Sequence, residues 1–210
     1  MRHFQKLLGF VMLNVTLASF KLSNGFIIKG HIEGVKDCTW VTLYDLDQQA
    51  FLDSALTKGG KFLLRGKVEH PTTCWLKCNG EYAIIQVENT EIHFTSPLKD
   101  MFLYSSVRGG REQELQNELK RLQLPHDLVN KGVYDSLMNK KYRDDDDKKR
   151  LIDTFNSSQS ASTQIYINFG KNHPCSYRGL DILYRNRTRV ARDSLALIYQ
   201  KLRPAFKETA

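Results

Sequence analysis

From Phe26 to about Val107 the chain alternates apolar and polar residues with the period of two that belongs to β-strands; beyond Arg111 the period lengthens to that of helices. "FIIKGHIEG" sets Phe26, Ile28, Gly30 and Ile32 on one side, with Gly30 and Gly34 leaving room for a bend or bulge. "TWVTLYDL" is rich in β-branched and aromatic residues. "AFLDSALT" and "KFLLRGKV" flank Lys58 to Gly60, which predicts a hairpin turn because glycine accepts positive φ. In the second of these strands Phe62, Leu64, Gly66 and Val68 alternate with more polar neighbours until Pro71, which cannot donate to a ladder. "TCWLKC", "YAIIQVE", "EIHFT" and "MFLYSSV" complete about eight short strands, the rhythm of an antiparallel sandwich or open barrel.

After Gly109 and Gly110, "REQELQNELKRLQL" places Leu115, Leu119 and Leu122 on one face of an amphipathic helix that Pro125 is expected to end. The helical signal resumes, with Leu128, Tyr134, Leu137, Leu151 and Phe155 as expected buried positions. "NSSQSAST" reads as a turn or a helix start, and "IYINFGKNHP" as a short apolar core ended by Gly170 and Pro174. One or two further helices carry Leu180, Leu183, Val190, Leu195, Ile198 and Leu202 on a rough stripe. The predicted class is α+β: a sandwich or open barrel over residues 26–107, then an all-helical region over residues 111–205. "DDDDKK", Asp144 to Lys149, resembles a processing-protease sequence and invites a calcium reading. It lacks the glycine and the alternating ligands of a calcium loop, and it suits a solvated helix N-terminus.

Composition adds location. Hydrophobic residues at 41% and charged residues at 26% are those of an ordinary globular chain, and 210 residues suffice for one or two domains. "MRHFQK" is basic, "LLGFVMLNVTLASF" is apolar, and Ala18 and Ser19 are small, the pattern of a secretory leader over residues 1–18. The run falls short of the roughly 20 residues that span a bilayer, so export to the periplasm or cell envelope is expected, with no membrane span left after cleavage. Losing Arg2 and Lys6 lowers the formal net charge of +8 by two. Arg178, Arg185, Arg187, Arg189, Arg192 and Arg203 crowd the C-terminal stretch, yet no nucleic-acid-binding motif accompanies them. They read as a solvated helix face, with an acidic partner or membrane surface as the alternative and no nucleic-acid partner.

Four cysteines in an exported chain allow three full pairings, and spacing does not choose among them. Cys74 and Cys78 share one face of a strand, where their Cα atoms lie about 13 Å apart. A disulfide needs about 4.4 to 6.8 Å and zinc ligands sit near 2 Å from the metal, so neither a bond nor a shared ion with His70 is compatible with that strand. In a helix the separation would be near 6 Å and both readings would revive; the β-rich flanks and Pro71 favour the strand and a core-lining role. Ser54, Ser105 and Ser106 lack a nucleophile-elbow motif. His31 and His93 fall inside strand patterns; His126 and His173 sit beside prolines at expected helix boundaries, as caps. Asp45 and Asp47 have no partner that would part their pKa values. No catalytic residue, cofactor or metal ligand is expected. Trp40, Tyr44, Trp75 and Tyr82 read as core aromatics, with ring stacking on a small ligand or glycan as the alternative.

The strand text resembles a β-sandwich domain of unknown function found, in certain Gram-negative bacteria, ahead of exported thioredoxin-like thiol–disulfide oxidoreductases. The resemblance rests on Asp53, Ser54, Ala55, Gly60, Lys61, Phe62, Gly66, Lys67, Val68 and Pro71. It continues through Val87 to Asn89 with Ile92, Gly109 and Gly110, and the linker-like "NHPCSYRGLDIL" from Asn172 to Leu183. It implies a sandwich followed by a helical linker. The thioredoxin-like domain with its Cys-x-x-Cys is absent from the 210 residues. The resemblance therefore implies a non-catalytic accessory module whose partner is a thioredoxin-like domain or a second copy of the chain. The alternatives are the N-terminal part of an oxidoreductase without its catalytic domain, and a small-ligand or glycan-binding sandwich.

Overall fold

The structure, a computed structural model, describes residues 25–202. The leader expected over residues 1–18 lies outside the described residues.

Among the described residues, eight strands form two four-stranded sheets. The first runs β4 (Lys61–Gly66), β1 (Phe26–Glu33), β7 (Glu91–Pro97), β8 (Ser106–Arg108); the second runs β3 (Ala50–Leu56), β2 (Trp40–Asp45), β5 (Thr72–Cys78), β6 (Glu81–Val87). The ladders are antiparallel except that of β1 with β7, which is parallel. Phe26, Ile28 and Ile32 of β1 face inward with Leu64 of β4, Val41 and Leu43 of β2, and Leu76 of β5. In the ladder of β1 with β4, Gly30 stands opposite Phe62 and Phe26 opposite Gly66. A Cβ on either glycine would fall inside the facing ring, so each pair fills one site with one phenyl group.

The turn expected around Lys58 to Gly60 is present, but the pairing of its flanking strands into a hairpin is corrected. Lys58 and Lys61 exchange backbone bonds of 2.9 and 3.0 Å around Gly59 and Gly60, whose φ values of 57° and 73° make a tight primed turn. Beyond it the strands part: β3 pairs with β2 and β4 with β1, so the turn joins the two sheets. Asp53 holds this corner, accepting from Ser54 N at 2.8 Å and from Arg65 N at 2.7 Å. Asn89 closes another edge, accepting from Val68 N at 3.0 Å and donating to Val68 O at 2.7 Å.

A short helix, α1 (Met101–Tyr104), precedes β8, and then α2 (Arg111–Met138) and α3 (Asp145–Asn172) form a long pair followed by α4 (Tyr177–Arg185) and α5 (Arg192–Lys201). Glu88 accepts from Glu112 N at 2.9 Å and so anchors the start of α2 to the end of β6. Asp144 caps α3, its side chain accepting from Asp147 N, and the other aspartates fill the first turn. Pro125 does not end α2, and "NSSQSAST" is interior to α3. The two corrections share a cause. Ser158 and Ser162 are small and buried, which lets α3 approach α2: Ser162 donates to Gln123 Oε1 at 2.6 Å, Gln123 donates to Ser162 O at 3.0 Å, and Ser158 Oγ lies 3.3 Å from His126 Nδ1. Packing on both sides of the exposed proline overrides its local cost. Beyond this seam α2 buries Val133, while Leu128 and Tyr134, expected inside, are exposed.

Candidate functional site

The outer face of the second sheet departs from what an antiparallel sheet presents to water. Alternation turns Val41 and Leu43 of β2 inward and Trp40, Thr42 and Tyr44 outward. On β5 the inward set is Cys74, Leu76 and Cys78, and the outward set is Thr73, Trp75 and Lys77. Register brings Tyr44 opposite both Phe51 of β3 and Trp75, and Lys77 opposite Thr42 and Tyr82 of β6. The rings therefore form a row. Phe51 meets Tyr44 edge-on at 5.2 Å between centroids, Tyr44 lies 6.3 Å from Trp75, Trp75 5.8 Å from Tyr82, and Tyr82 5.6 Å from Phe102 of α1. Trp40 is 59% exposed, Phe51 70% and Tyr82 40%.

Helices roof one end of this face and leave the rest open. Thr73 donates to Asp181 of α4 at 3.3 Å, Gln86 Nε2 to Thr73 Oγ1 at 2.9 Å, and Gln86 N to Gln113 of α2 at 2.7 Å. On the open part, Trp40, Trp75 and Tyr82 border a hollow of about 650 Å³ with Thr42, Lys77, Asn79 and Glu81. Asn79 and Gly80, both at positive φ, make the tight β5–β6 turn at its end. The Lys77 ammonium stands 4.3 Å from the Trp75 ring centre and 5.5 Å from that of Tyr44. Burial raises the Tyr82 hydroxyl above its ordinary range, and the Asp127 and Glu81 carboxylates push it the same way.

Trp40, Tyr44, Trp75 and Tyr82, expected as core aromatics, thus stand outside the sandwich core. Two apolar sets alternate along β2 and β5, and the aliphatic set took the interior. Phe51, Lys77 and Phe102 complete the surface without having been singled out; the one available signal was that aromatic residues share a parity opposite to the aliphatic ones.

Cys74 and Cys78 line the core, 0% and 1% exposed, on a strand that includes Trp75. Burial raises both thiols, and the Asp45 and Asp47 carboxylates add to the rise at Cys74. Cys38 is exposed, Cys175 half-buried, and all four are free. His70 stacks on Tyr177 with 6.0 Å between centroids. Asp45 Oδ1 accepts from Asp47 N at 2.8 Å, Gln48 N at 3.0 Å and Thr72 Oγ1 at 2.9 Å, which fixes the β2–β3 turn. Ser54 belongs to the Asp53 corner, and Ser105 accepts from Lys120 at 2.9 Å beside the exposed Ser106. His31 is exposed, His93 Nε2 lies 2.9 Å from Glu91, and His173 follows the end of α3. His126, expected at a helix boundary, lies inside α2 because that helix continues. Arg178, expected on a solvated face, is buried and donates to Asp181 at 2.7 Å; the other arginines between residues 185 and 192 are exposed. Among the described residues, no group of three or more His, Cys, Asp or Glu is placed to hold a metal ion. No helix among them is long and apolar enough to cross a membrane.

Residues 26–116 match the family model described as Domain of unknown function (DUF4369), a span that takes in both sheets and the first turn of α2. No curated protein and no solved structure matches the chain.

Proposed function

We propose that this chain is a non-catalytic accessory module of the cell envelope that binds a partner protein on the open part of its second sheet, the partner being a thioredoxin-like domain. One observation supports the reading above the rest: the water-facing side of an antiparallel sheet carries Trp40, Phe51, Tyr44, Trp75 and Tyr82 where polar side chains ordinarily stand. Aromatic side chains supply large contact area for little loss of conformational freedom and concentrate at the centres of protein interfaces. The partner's identity rests on the resemblance described above, and the envelope location on the N-terminal leader pattern. Residues that carry the resemblance serve the fold here: Asp53 holds the corner between sheets, Phe62 fills the space over Gly30, and Asn89 bridges Val68.

The test is calorimetric titration of the mature chain with a thioredoxin-like domain whose resolving cysteine is replaced by serine. Saturable binding is expected, weakened at least about tenfold by Trp75→Ala with Tyr82→Ala. Absence of binding, or binding indifferent to those substitutions, overturns the reading. A row of rings bordered by Thr42, Asn79 and Glu81 also favours a second reading, a saccharide stacked on its C–H faces. Glycan-array binding that the same pair of substitutions abolishes, with no binding of the thioredoxin-like domain, decides for that reading.

A further inference from the structure

We infer that the cleft between α4, α5 and the roofed end of the second sheet binds a single-chain amphiphile with an anionic head, of the fatty-carboxylate class. The inference does not depend on the aromatic face. The cleft encloses about 880 Å³, within the range of small-ligand sites. The sandwich contributes the β2–β3 turn with Asp47, and His70 stacked on Tyr177. The helices contribute an aliphatic lining of Leu180, Leu183, Leu195, Ile198 and Leu202. Leu183 belongs to an apolar cluster with Ile167 and Val190, against which Leu195 and Ile198 pack. A flexible hydrocarbon chain loses its contact with water along such a wall, at about 0.8 kcal/mol for each buried methylene.

The sign of the head group follows from which polar atoms are already engaged. Asp47 Oδ1 accepts from Arg185 Nη2 at 2.6 Å, while the Thr72 hydroxyl, 3.2 Å from Oδ2, gives its one proton to the nearer Asp45 Oδ1. Asp181 Oδ1 accepts from Arg185 Nε, and Oδ2 accepts from Arg178 Nη1 at 2.7 Å and from the Thr73 hydroxyl at 3.3 Å. Both oxygens of Asp181 and one of Asp47 thus have a donor, and each of the two carboxylates is paired with an arginine. Among the described residues the arginines keep donors in reserve: Arg185 has spent Nε and Nη2, which leaves Nη1. Arg187 has spent Nη1 on Tyr184 O at 3.0 Å, with its guanidinium 4.5 Å from the Tyr184 ring centre. A rim with spare guanidinium donors beside an aliphatic wall is complementary to a carboxylate on a hydrocarbon chain.

The experiment is calorimetric titration of the full chain with dodecanoate below its micelle-forming concentration. Dodecyltrimethylammonium, which has the same chain and the opposite charge, runs in parallel, as do vesicles containing phosphatidylglycerol. Saturable one-to-one binding of dodecanoate is expected, weakened about tenfold or more by Arg187→Glu and by Ile198→Arg. Trp75→Ala leaves it unchanged, which separates this cleft from the aromatic face. Arg187→Glu alters an exposed side chain and decides the matter alone if circular dichroism shows that Ile198→Arg does not fold. Equal binding of the cationic amphiphile, loss of binding in Trp75→Ala instead, or no saturable binding overturns the proposal. Binding to vesicles with none to free dodecanoate also overturns it, in favour of a membrane surface.

Discussion

Cys74 and Cys78 share the inner face of β5, and their surroundings oppose a thiolate on both counts that matter, burial at each and the Asp45 and Asp47 carboxylates near Cys74. A thiol that resists ionisation and lacks access is a poor nucleophile. Ellman's reagent at pH 8 is therefore expected to react first with the exposed Cys38, to reach Cys74 and Cys78 only on unfolding, and to count four thiols in denaturant. Two fast thiols in the native chain beyond Cys38 and Cys175 would show the core assignment of the strand pair to be wrong. Lys120 is the second informative residue. Burial draws its ammonium down from 10.5 to about 8, the Asp127 carboxylate pulling the other way, while its Nζ donates to Ser105 O at 2.7 Å. Between those two pH values the unfolded chain holds a proton that the folded chain has released, so this residue makes stability rise with pH across the window. Urea midpoints of the native protein and of Lys120→Gln, compared from pH 8 to 10, are expected to shift in favour of the native protein. A gap that stays constant or moves the other way means that the lysine keeps its proton.

Pro125 shows how a local rule loses to tertiary structure. It lacks the N–H that would bond Arg121 O inside α2, yet Gln123 and His126 pin the helix to Ser162 and Ser158 on either side of it. Since the ring is exposed and adds no buried contact, Pro125→Ala is expected to stabilise the protein by about 1–3 kcal/mol, read as a higher urea midpoint. A loss of stability would mean that the helix pair needs the local bend. The same contrast explains what the sequence could say about elements. In β1 the inward parity of Phe26, Ile28, Gly30 and Ile32 was legible because one set is apolar and the other is mostly polar. In β2 and β5 each parity holds apolar or aromatic residues, Val41, Leu43 and Leu76 on one and Trp40, Tyr44 and Trp75 on the other, so periodicity announced strands without parting a core face from an aromatic outer face. The tight turn at Gly59 and Gly60 was legible from its residues, but the sheet each flanking strand joins is decided by partners far away in the chain. The serines of "NSSQSAST" carry turn chemistry in isolation and helix-packing chemistry once α2 lies against them.

At the scale of the whole molecule, two layers differ in how they are held. The sandwich has one continuous apolar core, from Phe26 to Val107. The helices bury small clusters, Leu119 with Phe169 and Ile182, and Ile167 with Leu183 and Val190. The seam between the layers is largely polar: Gln86 with Gln113, Thr73 with Asp181, Glu88 with Glu112, and Arg185 with Asp47. Hydrogen bonds and half-exposed ion pairs contribute roughly 0.5–1.5 kcal/mol each, too little to couple the layers as tightly as a shared core would. The helical layer is therefore expected to unfold at lower denaturant than the sandwich. The chain supplies its own probes, because its two tryptophans, Trp40 and Trp75, both lie on the second sheet and far-UV ellipticity at about 222 nm reports the helices. In a urea titration the helical signal should fall before tryptophan emission changes. Gln113→Ala, which removes the acceptor that holds Gln86 N, should move the first transition lower and leave the second in place. Coincident transitions in both proteins would instead make the sandwich and the helices one cooperative unit, with the polar seam stronger than its individual bonds imply.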